Sequence, residues 1–262
     1  MTERDEGRAR VVLVTGGASG IGLATAGVLV ERGWRVVVAD IDADRCATAA
    51  ASIGADAMTL DVVDDAATDA ALDAMEARFG PVAALMANAG LIQRGGPAED
   101  LPLAEFDRVV AVNLRGVYIS CMAAGQRMAR RGSGGIVITG SVTASRTAPL
   151  HAYAPTKAAV VHMAACLAAE WGRSGVRVNA VSPGYVATPP LRAAIDSGKR
   201  DPRLLGEAAA MGRMVEAREI GLGVAFLLSD DAAAITGINL PIDAGWLAGS
   251  NLATYGGVRP AR

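Results

Sequence analysis

The sequence predicts an α/β fold built as a doubly wound parallel sheet of about seven strands, three layers deep and forming a single domain over 1–262. Three observations predict it. The short runs of β-branched and leucine residues are continuous rather than alternating, as in strands buried on both faces. Each run is followed by a longer helical segment, the order that gives a parallel sheet with helices on either side. A glycine cluster sits between the first run and the first helix, where the chain must turn sharply.

The elements follow in order. Val11 to Val14 is the first strand and Ile21 to about Arg32 the first helix. Arg35 to Asp40 (RVVVAD) is the second strand, and Ala43 to Ile53 its helix. Asp56 to Leu60 and Asp64 to Phe79 repeat the pair, and Gly80-Pro81 stops the helix. Val82 to Ala87 is strand four. Glu105 to Arg131 reads as one long helix ended by Gly132-Ser133-Gly134-Gly135. Ile136 to Gly140 is strand five, a helix runs from Tyr153 to Trp171, and Val176 to Val181 is strand six. Val186 to Arg213 is polar and reads as irregular. A helix over Glu216 to Ser229 and a strand near Gly237 to Ile242 close the series. No domain-length linker, low-complexity segment or internal repeat interrupts it.

Composition narrows the function classes. The chain is 52% hydrophobic, yet no apolar run reaches the ~18 residues that span a bilayer. The start, MTERDEGRAR, has no apolar signal region behind it. A soluble, cytoplasmic protein with no membrane partner is expected. A net charge of −2 gives no electrostatic footprint for nucleic acid. Cys46, Cys121 and Cys166 are odd in number and sit in apolar helical contexts, so they read as buried small hydrophobes. With two histidines, no metal site is expected.

The turn Thr15-Gly16-Gly17-Ala18-Ser19-Gly20-Ile21-Gly22 joins the first strand to the first helix. Glycines there let the backbone approach a pyrophosphate, and the helix start offers free N–H groups and the positive end of its dipole. An acidic residue ends the second strand, completing a dinucleotide-binding pattern. That residue is Asp40. Its carboxylate can accept from both adenosine ribose hydroxyls and repels a 2′-phosphate. No Arg or Lys lies between Gly16 and Gly22 or at Ile41, so the expected cofactor is NAD. Asp42 and Asp44 are better placed than Asp40 to cap the next helix.

The chemistry centres on SVTASRTAPLHAYAPTK, Ser141 to Lys157. Tyr153 and Lys157 are four apart at the start of a helix and share a face. An ammonium beside a phenol favours the phenolate and is expected to lower the Tyr153 pKa, giving a usable general acid/base. Ser141, ending strand five, can present a hydroxyl to the same substrate oxygen.

With these motifs the chain resembles the short-chain dehydrogenase/reductase family from about Arg10 to Gly245, a family with a Rossmann-type fold. Gly16, Gly20 and Gly22 match its TGxxxGIG pattern, with Ser19 and Ile21 in the same turn. Asp61-Val62 matches the pair that holds the adenine, Asn88-Ala89-Gly90 the NAG motif, and Asn113 the asparagine of the long helix. Ser141, Tyr153 and Lys157 match the catalytic residues. Pro183-Gly184-Tyr185-Val186-Ala187-Thr188 matches the PG segment, whose Val186 and Thr188 positions bind the nicotinamide carboxamide. GINLPIDAG, Gly237 to Gly245, is similar to the closing strand. The Ser141–Tyr153 gap is one residue shorter than the commoner spacing, and Ala87 replaces a frequent asparagine before NAG.

The resemblance implies hydride transfer between the nicotinamide and a secondary alcohol or ketone. Tyr153 is then the acid/base, Ser141 holds the substrate oxygen, Lys157 holds the nicotinamide ribose, and Asn113 holds a water linking Lys157 to solvent. It implies a homotetramer and makes 186–214 a variable substrate loop; the C-terminal tail 246–262 is longer than the last strand needs and is expected to reach a neighbouring subunit or close the site. The loop has small apolar residues and no large aromatics, so a polyol, sugar or cyclic diol is the expected small-molecule substrate. The rivals are a 3-oxoacyl thioester reductase and a non-catalytic NAD-sensing protein. The first commonly uses NADPH, and the second usually lacks the tyrosine or lysine present here. His151 reads as a rim residue, Met211, Met214 and Trp246 as core filling, and Lys199 to Arg203 as a solvated loop face.

Overall fold

The computed structural model describes residues 9–250, 252 and 256–259. Seven parallel strands form one sheet in the order β3-β2-β1-β4-β5-β6-β7. They are β1 Val11–Thr15, β2 Arg35–Asp40, β3 Asp56–Thr59, β4 Val82–Ala87, β5 Gly134–Thr139, β6 Val176–Pro183 and β7 Asn239–Ile242. The order reverses between β1 and β4, and the crevice beyond their carboxyl ends is where open α/β sheets bind ligands.

The alternation of side chains along each strand divides the core in two. Val11 and Leu13 point to one face, where they meet α3 (Asp65–Phe79), α5 (Val117–Arg131) and α6 (Tyr153–Trp171) through Leu72, Met128 and Leu167. Val12 and Val14 point to the other, against α1 (Gly20–Glu31), α2 (Ala43–Ile53) and α9 (Ala217–Leu228) through Leu29, Cys46 and Leu227. Both faces are covered by helices, which is why the central strands carry no polar alternation. Local signals set the helix starts: Asp42 and Asp64 accept from Arg45 N at 3.0 Å and Ala67 N at 2.9 Å, and Glu216 with Glu219 forms a capping box.

Four expectations need correction. The stretch 186–213 is not irregular: it holds α7 (Pro189–Asp196) and α8 (Pro202–Glu207). Each begins on a proline at its first position, where the missing N–H costs nothing, and Asp201 accepts from Arg203 N at 2.9 Å. The long helix is continuous from α4 (Leu103–Val110) to Arg131 but passes through a π-helical segment, Ala111–Gly116. Cys166 is exposed, on the outer face of α6, while Cys46 and Cys121 are buried. Met211 is 63% exposed and fills no core, and Trp246 is half-buried, packed edge-to-face on Tyr185 at 5.8 Å.

Candidate active site

The glycine turn is shaped by contact with the strand beside it. Gly16 has φ +60, and a Cβ there would stand 2.7 Å from Ala89 Cα. Gly20, also left-handed at φ +53, opens α1. Asn88 braces this turn: Nδ2 donates to Thr15 O at 3.2 Å and Gly16 O at 3.0 Å, and Oδ1 accepts from Thr139 Oγ1 at 3.2 Å. The Asn88 side chain is therefore spent on the cradle. Ser19 precedes α1 but makes no side-chain cap, and the first turn carries no acidic residue. Its N–H groups and positive dipole end are left for an anion.

Asp40 lies at the carboxyl end of β2, 8% exposed. Oδ2 accepts from Ala18 N at 3.3 Å, and Oδ1 accepts from Asp42 N at 3.4 Å and Arg45 Nη2 at 2.8 Å. Arg45 is a partner the sequence reading missed. Its signal was present, since the first turn of α2 curls back over the end of β2. Val62 is buried against Gly116, and Asp61 is exposed, accepting from Val63 N at 3.1 Å. The Pro183 to Thr188 segment reaches the glycine turn from the far side: Thr188 Cγ2 lies 3.5 Å from where a Gly20 Cβ would stand. Val186 pairs with Val215, so both ends of the 186–214 loop are joined at its base.

β5 and α6 bring Ser141, Tyr153 and Lys157 together. Ser141 is buried, and its Oγ accepts from Thr143 N at 3.1 Å and Thr143 Oγ1 at 2.9 Å, leaving its own proton to donate. Lys157 Nζ donates to Thr139 O at 2.7 Å and lies 5.6 Å from the Tyr153 ring centroid. Asn113 is buried on the π-helical segment; its amide exchanges hydrogen bonds with Leu91 N at 2.7 Å and Leu91 O at 2.8 Å. A Cβ at Gly90 would stand 3.4 Å from Asn113 Oδ1 and 3.6 Å from Lys157 Nζ, so these groups border one gap. His151 is exposed at the rim, its ring nitrogen 3.2 Å from Gly96 O.

The electrostatics differ from the sequence expectation. Burial raises the Tyr153 pKa, and the Ser141 hydroxyl beside it opposes this. Burial also lowers Lys157 to about 8, because its ammonium is desolvated. The expected lowering of Tyr153 by Lys157 is absent: the ammonium donates to the Thr139 carbonyl at 2.7 Å and lies 5.6 Å from the ring centroid, too far for a hydrogen bond to the ring. Two cavities lie elsewhere. One of ≈ 360 Å³ opens at the amino end of the sheet by Trp34 and Arg177. The other, ≈ 440 Å³, lies outside α6 by Arg146 and Pro155.

The residues present fit a nicotinamide dinucleotide. The glycine cradle faces an uncapped helix start, the carboxylate at β2 sits where a ribose binds, and Lys157 borders the gap at Gly90.

A family model described as enoyl-(acyl carrier protein) reductase matches residues 16–247. A D-threitol dehydrogenase of Mycolicibacterium smegmatis (strain ATCC 700084 / mc(2)155) is 40% identical over 243 residues, 90% of this chain and 92% of its own. A cis-4-hydroxycyclohexanecarboxylate dehydrogenase of Sinomonas cyclohexanicum is 37% identical, covering 91% of this chain and 97% of its own. A structure described as ribose-5-phosphate isomerase from Brucella melitensis 16M superposes with TM-score 0.93 at 43% identity, over 97% of this chain and 98% of that one. An NAD+-bound xylitol dehydrogenase superposes with TM-score 0.85 at 30% identity, over 92% of this chain and 100% of that one.

Proposed function

Because the chain belongs to the short-chain dehydrogenase/reductase family, an oxidoreductase family using a nicotinamide cofactor, we propose that it is an NAD-dependent dehydrogenase of small secondary alcohols. Polyols are the favoured substrate class, and the ketone is the product. The observation that supports this most is the convergence of Ser141, Tyr153 and Lys157 beside the glycine turn. The names of the threitol and xylitol dehydrogenases support the substrate class.

When bound, the cofactor supplies the hydride acceptor for alcohol oxidation and the donor for ketone reduction. Gly16, Ser19, Gly20, Ile21 and Gly22 would hold its pyrophosphate, Asp40 its adenosine ribose, and Asp61 with Val62 its adenine. Ala89, Gly90, Pro183, Val186 and Thr188 would line its nicotinamide half, with Asn88 bracing the turn. Ser141 donates its free proton to the substrate oxygen and fixes it against Tyr153. Tyr153 takes the hydroxyl proton in oxidation and returns it in reduction. Lys157 would hold the nicotinamide ribose, and its ammonium, bordering the gap at Gly90 and lying 5.6 Å from the Tyr153 ring centroid, would favour the phenolate. Asn113, bonded to Leu91, borders the same gap and keeps a water beside Lys157.

The loop 186–214 shapes the substrate pocket, and the tail from Trp246 closes it. Arg146 Nη2 reaches Leu247 O at 3.5 Å from the catalytic loop, supporting this role; residues 251, 253–255 and 260–262 of the tail lie outside the described residues. We place the enzyme in the cytoplasm as a homotetramer. Exposed Leu103, Phe106 and Tyr118 on the α4–α5 helix support an interface there. Aldose–ketose isomerisation, the activity in the Brucella structure's name, gains nothing from these residues, since isomerisation has no use for a dinucleotide cradle.

The test is NADH formation from D-threitol, galactitol and cyclic diols, with NADP run in parallel. Tyr153→Phe should cut turnover by about 10²–10⁴, the worth of a positioned acid/base, and leave NAD binding intact. Full activity in a folded Tyr153→Phe protein would sink the assignment.

A further inference from the structure

Helix α6 starts without a cap of its own. Ala152 precedes it and offers no side-chain acceptor, although the first N–H groups of any helix need partners. The partner comes from 60 residues upstream: Gln93 Oε1 lies 2.9 Å from Tyr153 N and 2.5 Å from Ala152 N. Gln93 is itself 5% exposed, on the loop that leaves β4 through Asn88 and Leu91.

The other end of the Tyr153 peptide is held as well. Thr156 Oγ1 donates to Tyr153 O at 2.7 Å and accepts from Asn113 Nδ2 at 3.4 Å. Asn113 in turn holds the backbone of Leu91, two residues before Gln93. A closed ring thus runs from Gln93 to Tyr153, Thr156, Asn113 and Leu91, and back to Gln93 along the chain. Both backbone polar groups of Tyr153 are clamped by side chains.

We infer that Gln93 is a positioning residue for Tyr153: it caps α6 from across the crevice and holds the first turn so that the phenol faces Ser141 and Lys157. This rests on Tyr153 being the acid/base. The groups that face the phenol are Lys157 on its own helix and Ser141 on the preceding loop; His151 is turned to Gly96.

Gln93→Met keeps the size and removes the acceptor; Gln93→Glu keeps an acceptor that a helix start favours. Tyr153 ionisation is read without substrate, as the near-ultraviolet phenolate titration of each protein minus that of its Tyr153→Phe partner. Turnover is read with NAD and D-threitol, or the best alcohol of the panel. Gln93→Met should lower kcat by about 10²-fold, the cost of a misplacement near 1 Å, with the NAD KM unchanged. Its Tyr153 pKa should fall towards the ordinary value as water reaches the loosened turn, and Gln93→Glu should restore most of the kcat. If Gln93→Met does not fold, Gln93→Asn, one methylene short of both N–H groups, reads the same effects. A folded variant with unchanged kcat and unchanged Tyr153 titration overturns the inference. So does a loss that Gln93→Glu fails to rescue, since the acceptor oxygen is then irrelevant. Activity surviving in Tyr153→Phe instead overturns the functional reading beneath it.

Discussion

Replacing Asp40 with serine is the sharpest test of the cofactor reading. A carboxylate offers about four lone-pair positions, and three are taken by Ala18 N, Asp42 N and Arg45. Two ribose hydroxyls therefore need Arg45 to leave. That is cheap: the arginine side chain is 52% exposed, and such a pair contributes about 0–1 kcal/mol. The hydroxyls then gain hydrogen bonds to a charged group, roughly 1.5–3 kcal/mol in all after desolvation. Asp40→Ser should cost NAD about 10–100-fold in kcat/KM, at ~1.4 kcal/mol per decade. For NADP the change runs the other way. A charge pair ~5 Å apart interacts by about 3 kcal/mol at an effective dielectric of ~20, and the substitution removes that repulsion. It also frees Arg45 to meet the 2′-phosphate. The NADP/NAD ratio of kcat/KM should rise by about 10²–10⁴. The assay is initial NADH and NADPH formation from one alcohol at saturation. Asp40→Ser with Arg45→Ala should return most of the NADP gain. A ratio unchanged by Asp40→Ser would refute the reasoning, because the carboxylate would then face neither ribose nor phosphate.

Other outcomes follow from burial. Lys157 titrates near 8 when folded and near 10.5 when unfolded, so the unfolded chain binds more protons between those values and stability rises with pH across the window. The penalty is fully present below about pH 8. Denaturant melts of wild type and Lys157→Met from pH 7 to 10 should therefore diverge by on the order of 2–3 kcal/mol, in favour of the wild type as pH rises; parallel curves would remove Lys157 as the cause. At Gly125 a Cβ would stand 2.2 Å from the Trp171 ring, where α5 meets α6. Gly125→Ala should destabilise by roughly 1–3 kcal/mol, seen as a lower Tm, and an unchanged Tm would mean that the two helices have room to part.

Most of the sheet was legible because its strands are short, apolar and buried on both faces, so each stands out from the helices between. The elements that were misread have specific physical reasons. The stretch 186–213 read as irregular because it is polar, yet Pro189 and Pro202 occupy first-turn positions, where proline is accepted, and each opens a helix. The π-helical segment at Asn113 depends on bonds to Leu91, distant in sequence. Cys166 looked buried because α6 is apolar nearly all round, and no periodicity marked its outward side. In the site, residue types and spacing picked out Ser141, Tyr153 and Lys157, which the fold brings near one another. They did not show where the Lys157 ammonium points, since Thr139 offers only a backbone carbonyl and has no signature. Gln93 escaped for a related reason, since it reaches the start of α6 from 60 residues upstream, whereas Arg45 lies on the turn beside Asp40.

The position of β7 has a consequence for how the chain is made. β6 carries the PG segment at its end, and among the described residues its outer edge is covered by Asn239–Ile242, which comes much later in the chain. A nascent chain therefore presents β6 as an open, apolar edge until β7 has emerged from the ribosome, and open edges recruit other strands. Stop codons or frameshifts before Asn239 should yield aggregates rather than a shortened, weakly active enzyme, and the window between β6 and β7 is where a chaperone holding the growing chain would be needed most.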